Sequence, residues 1–586
     1  MKRIIISSIF AFAALMMAVS CEDFLNRYPT GSLSSENMFE SAELAEGVVT
    51  GVYELNMYGL DSTWPYNWDA FSSVLDPSES SISGSYQYLT GNTMPTADIF
   101  LTFWKQYYEG VNRANDAINN LPAVPDMSDE LKAQRIAECK FLRAWNYYLL
   151  NCRWRGVPIY LENLAPDQYT KPRSTEKEVW EQIVADLTDC IECKSIPDKY
   201  DSGNANYGRV TRGAAYALRA KTYLWMEEWA LAEADFRKVG ECGYKLFSGS
   251  YADLFLEANE RCDEMIFSVQ MVDQAGKGNA FSYNYGNYCT TGYGYNCFSL
   301  NTRFVDSYTR KNGKPFDWND YIPGYNETPA EARAAYFFRD GMTDSEKAYW
   351  ASLGADMKLY MVSGNEARVK AAYSDRDPRL AANAITPYST YTGGSEGTER
   401  VYTYRFPYRD MVSYADVKNR NTTTCTYPIR KFVAVGRKYV NISHNPVDIP
   451  VIRYADVLLG LAEALCQQDG KWTEALLYVN MVRNRAGVAA LNTNEYTMVA
   501  NAEDLMKRIR DEKKWEFAGE QVVWYDELRW KTWKEDKFAD GNGMLHAWGA
   551  PVYTYSWGGE QYWKWPLPQS ETQRNTNLEQ NDQWSK

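Results

Sequence analysis

Histidine is nearly absent from this chain: His444 and His546 are the only two in 586 residues. A Ser-His-Asp triad or a histidine-rich zinc site therefore has little material to be built from. Cysteine is sparse as well, eleven in all, far below the density of a disulfide-stapled scaffold. The one CxxC spacing, Cys190 and Cys193, has no second pair or histidine beside it. Both cysteines read as helix residues rather than zinc ligands. Cys289 and Cys297 share one loop, and whether they bridge stays open at this level. Past the first twenty residues no stretch approaches the ~20 consecutive apolar residues of a membrane-spanning helix. Net positive charge is lacking too. A formal charge of −14 argues against nucleic acid or an anionic membrane surface as partner and suits a neutral or cationic ligand.

What is present begins at the N-terminus. Lys2 and Arg3 precede a largely apolar stretch from Ile4 to Val19 that runs into Ala18-Val19-Ser20-Cys21. Residues 1–20 read as a secretory signal, and the small residues before Cys21 resemble a bacterial lipobox. Cleavage there makes Cys21 the lipidated first residue of the mature chain. Its acyl chains are enough for stable membrane attachment without a spanning helix. Removing residues 1–20 takes away two positive charges, so the formal charge moves from −14 to −16. The expected organisation is a signal, 1–20, followed by one tethered domain, 21–586.

Helical periodicity is strong in several places. Arg135 to Cys152 sets Ile136, Phe141, Leu142, Trp145, Tyr148 and Leu149 mostly at three- and four-residue steps, an apolar stripe on one face. Glu176 to Cys190 repeats the pattern. Gly213 to Val239 reads as helix–turn–helix around Glu227-Glu228-Trp229, with small residues where two helices would approach. Its spacing matches a tetratricopeptide pair. Tyr454–Cys466 with Thr473–Arg485 is a second pair; Ala502–Phe517 with Gln521–Trp530 is a third. The fold class expected is mostly α: tetratricopeptide-like helix pairs forming a scaffold, with long loops and a few short strands.

The loops hold the aromatic residues that the helices do not need. Trp 20, Tyr 45 and Phe 22 make 15% of the chain, and the excess of tyrosine suits a surface that stacks on something hydrated. Residues 58–96 mix Ser, Gly and aromatics. Residues 281–298 read FSYNYGNYCTTGYGYNCF and carry no charge. A third irregular block, 311–450, is broken by one helical island, Glu331–Phe338. A helical core decorated this way usually carries its function on the loops.

Several motifs resemble the SusD/RagB family of nutrient-uptake lipoproteins of Bacteroidetes. Glu22-Asp23-Phe24-Leu25-Asn26 resembles the acidic start of the mature chain. Phe141-Leu142-Arg143-Ala144-Trp145-Asn146-Tyr147-Tyr148, closing on Gly156-Val157-Pro158, is similar to a helix and turn found across the family. Asp375-Arg376-Asp377-Pro378-Arg379, Ile452-Arg453-Tyr454-Ala455-Asp456-Val457, Arg483-Asn484-Arg485-Ala486-Gly487 and Glu516-Phe517-Ala518-Gly519-Glu520 follow in the family's order. Thr576 departs from a common proline after the asparagine. The resemblance implies a lipid-anchored protein of the outer membrane, facing the cell exterior, without cofactor or catalysis. It also implies oligosaccharide capture and delivery to a SusC-like TonB-dependent transporter. Peptide capture, as in the RagB branch, is the main alternative. A glycan-active enzyme is a weaker one, since no signature singles out a carboxylate pair among 76 acidic residues.

A pyranose offers an apolar C–H face to a flat ring and hydroxyls to amides. Tyr283, Tyr285, Tyr288, Tyr293 and Tyr295 are therefore the first candidates for stacking, then Trp64, Trp68, Tyr86 and Trp318. Asn284, Asn287 and Asn296 are the candidate hydroxyl partners. Replacing Tyr283, Tyr285, Tyr293 and Tyr295 together by Ala is expected to abolish binding at little cost to stability. Trp145, Tyr148, Tyr216, Tyr223 and Trp524 read as core.

Overall fold

The computed structural model describes residues 37–54, 68–78, 83–274, 276–291, 294–394, 397–410, 412–434 and 444–584. The signal, Cys21, Trp64 and Tyr293 lie outside the described residues.

About half of the described residues are helical. The scaffold helices are α1 (Ala42–Glu54), α2 (Asp98–Asn120), α3 (Asp129–Trp154), α4 (Glu176–Glu192), α5 (Arg212–Trp225), α6 (Trp229–Glu241), α7 (Tyr454–Cys466), α8 (Trp472–Ala486), α9 (Ala502–Phe517) and α10 (Val523–Trp530), and the first strands in chain order are β1 (Leu75–Pro77), β2 (Met265–Val269) and β3 (Phe298–Leu300). From α2 to α6 each helix packs on the next, and α6 then packs on α7 across the whole intervening excursion. The tetratricopeptide-like scaffold read from periodicity is thus continuous in space although interrupted in sequence.

Local chemistry sets the helix ends. The Ser128 hydroxyl accepts the Leu131 N–H to start α3, and Thr175 with Glu178 forms a reciprocal capping box for α4. Thr211 and Asn501 cap α5 and α9 in the same way. Glycine decides one close crossing. A Cβ at Gly460 of α7 would lie 2.5 Å from the Phe236 ring of α6, so the two helices meet only because that position has no side chain.

The helices missed by periodicity are informative. They include α1 and α2, the latter a 23-residue helix whose Ala97 N-cap makes no side-chain hydrogen bond. The 311–450 block also holds more helix than the single island expected. Glu331–Phe338 is a 3-10 turn over Ala332–Phe337, and three α-helices follow at Asp344–Ser352, Asn365–Ser374 and Pro378–Asn383. No helix among the described residues is long and apolar enough to cross a membrane.

The motif residues meet in a buried charge network. Arg379 reaches Asp377 at 2.7 Å, Glu512 at 2.6 Å and Glu516 at 3.2 Å. Arg453 contacts Glu264 at 2.5 Å, Glu516 at 3.1 Å and Glu520 at 2.6 Å. Arg485 also pairs with Glu516 and Glu264, and Lys431 with Glu520. Every carboxylate in this set is nearly or wholly out of water. Burial alone would raise the Glu516 carboxyl, but Arg485, Arg453 and Arg379 hold it at about 2. Burial lowers the Lys431 ammonium to about 8, against the pull of Glu520. These residues fix packing, and such a network is not by itself a sign of catalysis.

The C-terminal tail returns to α3. The Trp154 indole N–H donates to Pro566 O at 2.8 Å, and Trp565 N–H donates to Arg153 O at 2.8 Å. The Arg153 guanidinium lies 5.0–5.6 Å from the ring centroids of Phe103, Tyr107, Trp524, Tyr525 and Trp565, a cation held among aromatic faces.

Candidate ligand-binding face

The 281–298 loop begins with two short helical turns, Phe281–Asn284 and Tyr288–Thr291, and enters strand β3 (Phe298–Leu300). It folds back on itself through backbone bonds: Tyr295 N–H to Tyr283 O at 2.8 Å, Asn296 N–H to Gly286 O at 2.8 Å, and Cys297 N–H to Asn284 O at 2.6 Å. This closeness explains two of its glycines. A Cβ at Gly286 would lie 2.1 Å from Ser282 O, and one at Gly294 would lie 2.2 Å from Asn287 O. The fold-back turns three tyrosines into one patch. Tyr283 and Tyr295 have ring centroids 4.7 Å apart, and Tyr288 stands 5.7 Å from Tyr295. All three are half-buried, so each keeps ring surface toward solvent. Burial, with Tyr295 alongside, pushes the Tyr283 hydroxyl up to about 12, so it stays a neutral donor at any physiological pH. The Arg420 guanidinium sits 5.0 Å from the Tyr295 centroid.

The other sequence candidates divide. Tyr285 is fully buried, stacked on Phe281 at 4.8 Å and edge-on to Phe298 at 5.8 Å. Trp318 is buried as well, stacked on Tyr325 at 4.9 Å with its indole N–H donating to Asp306. Both expectations are corrected to core packing, because neither ring has a face left for a ligand. Asn284, Asn287 and Asn296 are also inside. Asn284 Nδ2 donates to Ala280 O, and Asn296 Nδ2 donates to Phe298 O, each at 2.9 Å. Asn287 Oδ1 accepts the Cys289 N–H at 2.8 Å. The asparagines thus satisfy the loop's own backbone rather than stand ready for hydroxyls. Cys289 and Cys297 are both buried free thiols, and burial raises the Cys289 thiol to about 11.

A small sheet brings the two aromatic excursions together. Strand β1 (Leu75–Pro77) pairs antiparallel with β3, which pairs in turn with the short strand β6 (Tyr427–Pro428). Ser78 N–H donates to Cys297 O at 2.8 Å, so the end of the first excursion is tied to the tyrosine loop. Trp68 begins the 3-10 turn Trp68–Phe71 just before β1, its side chain lying outside the described residues. Tyr86 is half-buried and packs edge-on to Tyr553 at 5.0 Å, and the Tyr553 hydroxyl donates to Pro77 O.

One wall of the face was not singled out by the loop composition. The hairpin of β4 (Thr390–Gly393) and β5 (Arg400–Thr403), with the segment after it, lies directly on the loop. Tyr288 N–H donates to Lys418 O at 2.9 Å, Gly394 N–H to Cys289 O at 2.7 Å, and the hydroxyls of Thr290 and Tyr391 are 2.6 Å apart. Buried Asp416 fixes the segment by binding Arg405 at 3.1 Å and Arg409 at 2.8 Å. Arg420 is thereby placed beside Tyr295, and Tyr402 and Tyr408 come near Cys289 of the loop. The visible signal was the run Tyr402-Thr403-Tyr404-Arg405-Phe406-Pro407-Tyr408-Arg409, where aromatic and basic residues interleave. Among the described residues no cluster of His, Cys, Asp or Glu could hold a metal ion.

The architecture defines a class of helical-repeat proteins that carry an aromatic face on long inserted loops. Two profiles divide the chain between them. One, described as SusD family, matches residues 263–584, and one described as starch-binding associating with outer membrane matches residues 23–224. The chain belongs to the SusD family. It is 23% identical to SusD-like protein P25 of Formosa agariphila over 549 residues, 90% of each chain. It is also 23% identical to the starch-binding protein SusD of Bacteroides thetaiotaomicron, over 78% of this chain and 74% of that one. Its fold matches a SusD-like protein of Bacteroides fragilis with a TM-score of 0.73 at 21% identity, covering 95% of this chain and all of that one. It also matches surface glycan-binding protein A of Bacteroides thetaiotaomicron in complex with laminarihexaose, with a TM-score of 0.60 at 20% identity, covering 92% and 99%.

Proposed function

We propose that this chain is a non-catalytic glycan-binding lipoprotein of the outer-membrane surface, anchored through Cys21. It captures oligosaccharide and delivers it to a SusC-like TonB-dependent transporter. The observation that carries the reading is the contiguous patch of Tyr283, Tyr288 and Tyr295, half-buried and held rigid by backbone bonds. Rings fixed before binding lose little conformational freedom when a sugar stacks on them. The three rings carry no formal charge, and Tyr283 and Tyr288 are each tilted 51° to Tyr295, with the Arg420 guanidinium at their margin as a donor. Tyr86, packed on Tyr553 beside the end of β1, extends the candidate surface; Trp64 and Trp68 are candidates from the sequence alone.

The test is affinity electrophoresis of the mature protein, Cys21→Ala, through gels containing plant, algal and host polysaccharides. Selective retardation by one of them is expected. With ~1 kcal/mol for each stacked ring, the Tyr283→Ala/Tyr288→Ala/Tyr295→Ala variant should bind roughly a hundredfold more weakly. Tyr285 is left intact because its loss would cut into the core. Retardation that persists in the triple variant would remove the patch from the site. Failure with every glycan, combined with binding of an oligopeptide library, would replace glycan capture with peptide capture.

A further inference from the structure

The helical scaffold holds a second cavity that shares no residue with the tyrosine face. It measures about 730 Å³ and is framed by the α5–α6 turn, the C-terminal ends of α7 and α10, one turn of α9 and the tail. Trp225, Trp229, Trp530 and Trp563 all line it, and all four are half-buried. A volume of this order is ordinary for a small-molecule site.

The charges around it do not cancel. Arg155 pairs with Glu176 at 2.9 Å, and Arg529 pairs with Glu463 at 2.7 Å. Once those pairs are set aside, Arg510, Lys531 and Lys564 face a single further carboxylate, Glu227. None of these three cations forms an ion pair among the described residues. Arg510 Nε is buried with no hydrogen-bond acceptor there, and its guanidinium lies 5.6 Å from the Trp530 centroid. A donor removed from water without an acceptor costs free energy that a bound acceptor would restore. In a chain of formal charge −14, uncompensated positive charge beside four indoles marks a site that favours anions. Indole faces suit the C–H face of a pyranose, and guanidinium and ammonium groups suit carboxylate or sulfate.

We propose that this cavity is a second carbohydrate subsite, selective for an anionic oligosaccharide carrying carboxylate or sulfate groups. It stands apart from the tyrosine face, so a protein whose loops took a peptide would still have it.

The mature Cys21→Ala protein is titrated at low salt with tetragalacturonate, with a sulfated tetrasaccharide and with neutral cellotetraose. Binding is followed by tryptophan fluorescence and calorimetry. Saturable binding of at least one anionic probe is expected, weakening as salt rises; which arm binds tells carboxylate from sulfate. Affinity should fall at least tenfold in Arg510→Gln/Lys564→Glu and in Trp229→Ala, and stay unchanged in Tyr283→Ala/Tyr295→Ala. Lys564 is exposed, so Lys564→Glu alone serves if the double variant does not fold. Absence of binding by both anionic probes, equal affinity for cellotetraose, or loss of binding in the tyrosine variant alone would each overturn the subsite.

Discussion

Replacing Glu516 by Gln isolates the electrostatic part of the buried network. Three arginines converge on this carboxylate: Arg453 at 3.1 Å, Arg379 at 3.2 Å, and Arg485. Together they hold it at about 2, below the 4.5 of an ordinary glutamate. A carboxyl whose folded value is depressed stabilises the fold above its unfolded value and loses that stabilisation as pH falls toward its folded value. A gap of about 2.5 units corresponds to roughly 3 kcal/mol at neutral pH. By pH 3 about 2 kcal/mol of it should be gone, because the unfolded carboxyl takes up its proton well before the folded one. Denaturant unfolding of wild type and Glu516→Gln at pH 7, 5, 4 and 3 reads this directly. The variant should be less stable by roughly 3 kcal/mol at pH 7, a difference that narrows below about pH 4.5. A difference that stays constant from pH 7 to pH 3 would refute the argument, since the loss would then come from shape or hydrogen bonding rather than charge.

Two other outcomes follow from packing. Gly460→Ala should destabilise by about 1–3 kcal/mol, because the added Cβ meets the Phe236 ring at 2.5 Å; an unchanged denaturation midpoint would show that α6 and α7 can separate freely. Cys289 and Cys297 should resist alkylation in the folded protein and label completely in denaturant without reductant. A Cys289 peptide labelled only after reduction would show a bridge instead.

Helix existence was legible where an apolar stripe was regular, with or without a capping side chain, as the uncapped Arg453 start of α7 shows. Tyr454–Cys466 and Ala502–Phe517 match the sequence reading at both ends, the latter started by Asn501. Helix α2 escaped because polar Gln106 and Asn115 sit among its buried positions and blur the apolar stripe. In the 281–298 loop, composition identified a tyrosine-rich segment but not which rings faced inward. Neighbouring positions there are separated by turns and not by a fixed period, so Tyr283 keeps a solvent face while Tyr285, two residues on, is sealed against Phe281 and Phe298. The asparagines followed the same logic: in a charge-free loop the nearest unsatisfied groups are the loop's own amides and carbonyls, and those bind first.

The tail that closes on α3 has a consequence for how the protein is made. Trp154 and Arg153 are bonded to Pro566 and Trp565, and β1 finds its partner only at Phe298–Leu300. Contacts this far apart in sequence form late and slowly, so an emerging chain has its N-terminal helices long before the residues that seal them. A chain truncated before Trp565 would leave the Arg153 cage open and a cluster of large rings in water, a state prone to aggregation. Completion of synthesis is thereby coupled to closure of the aromatic cage around Arg153.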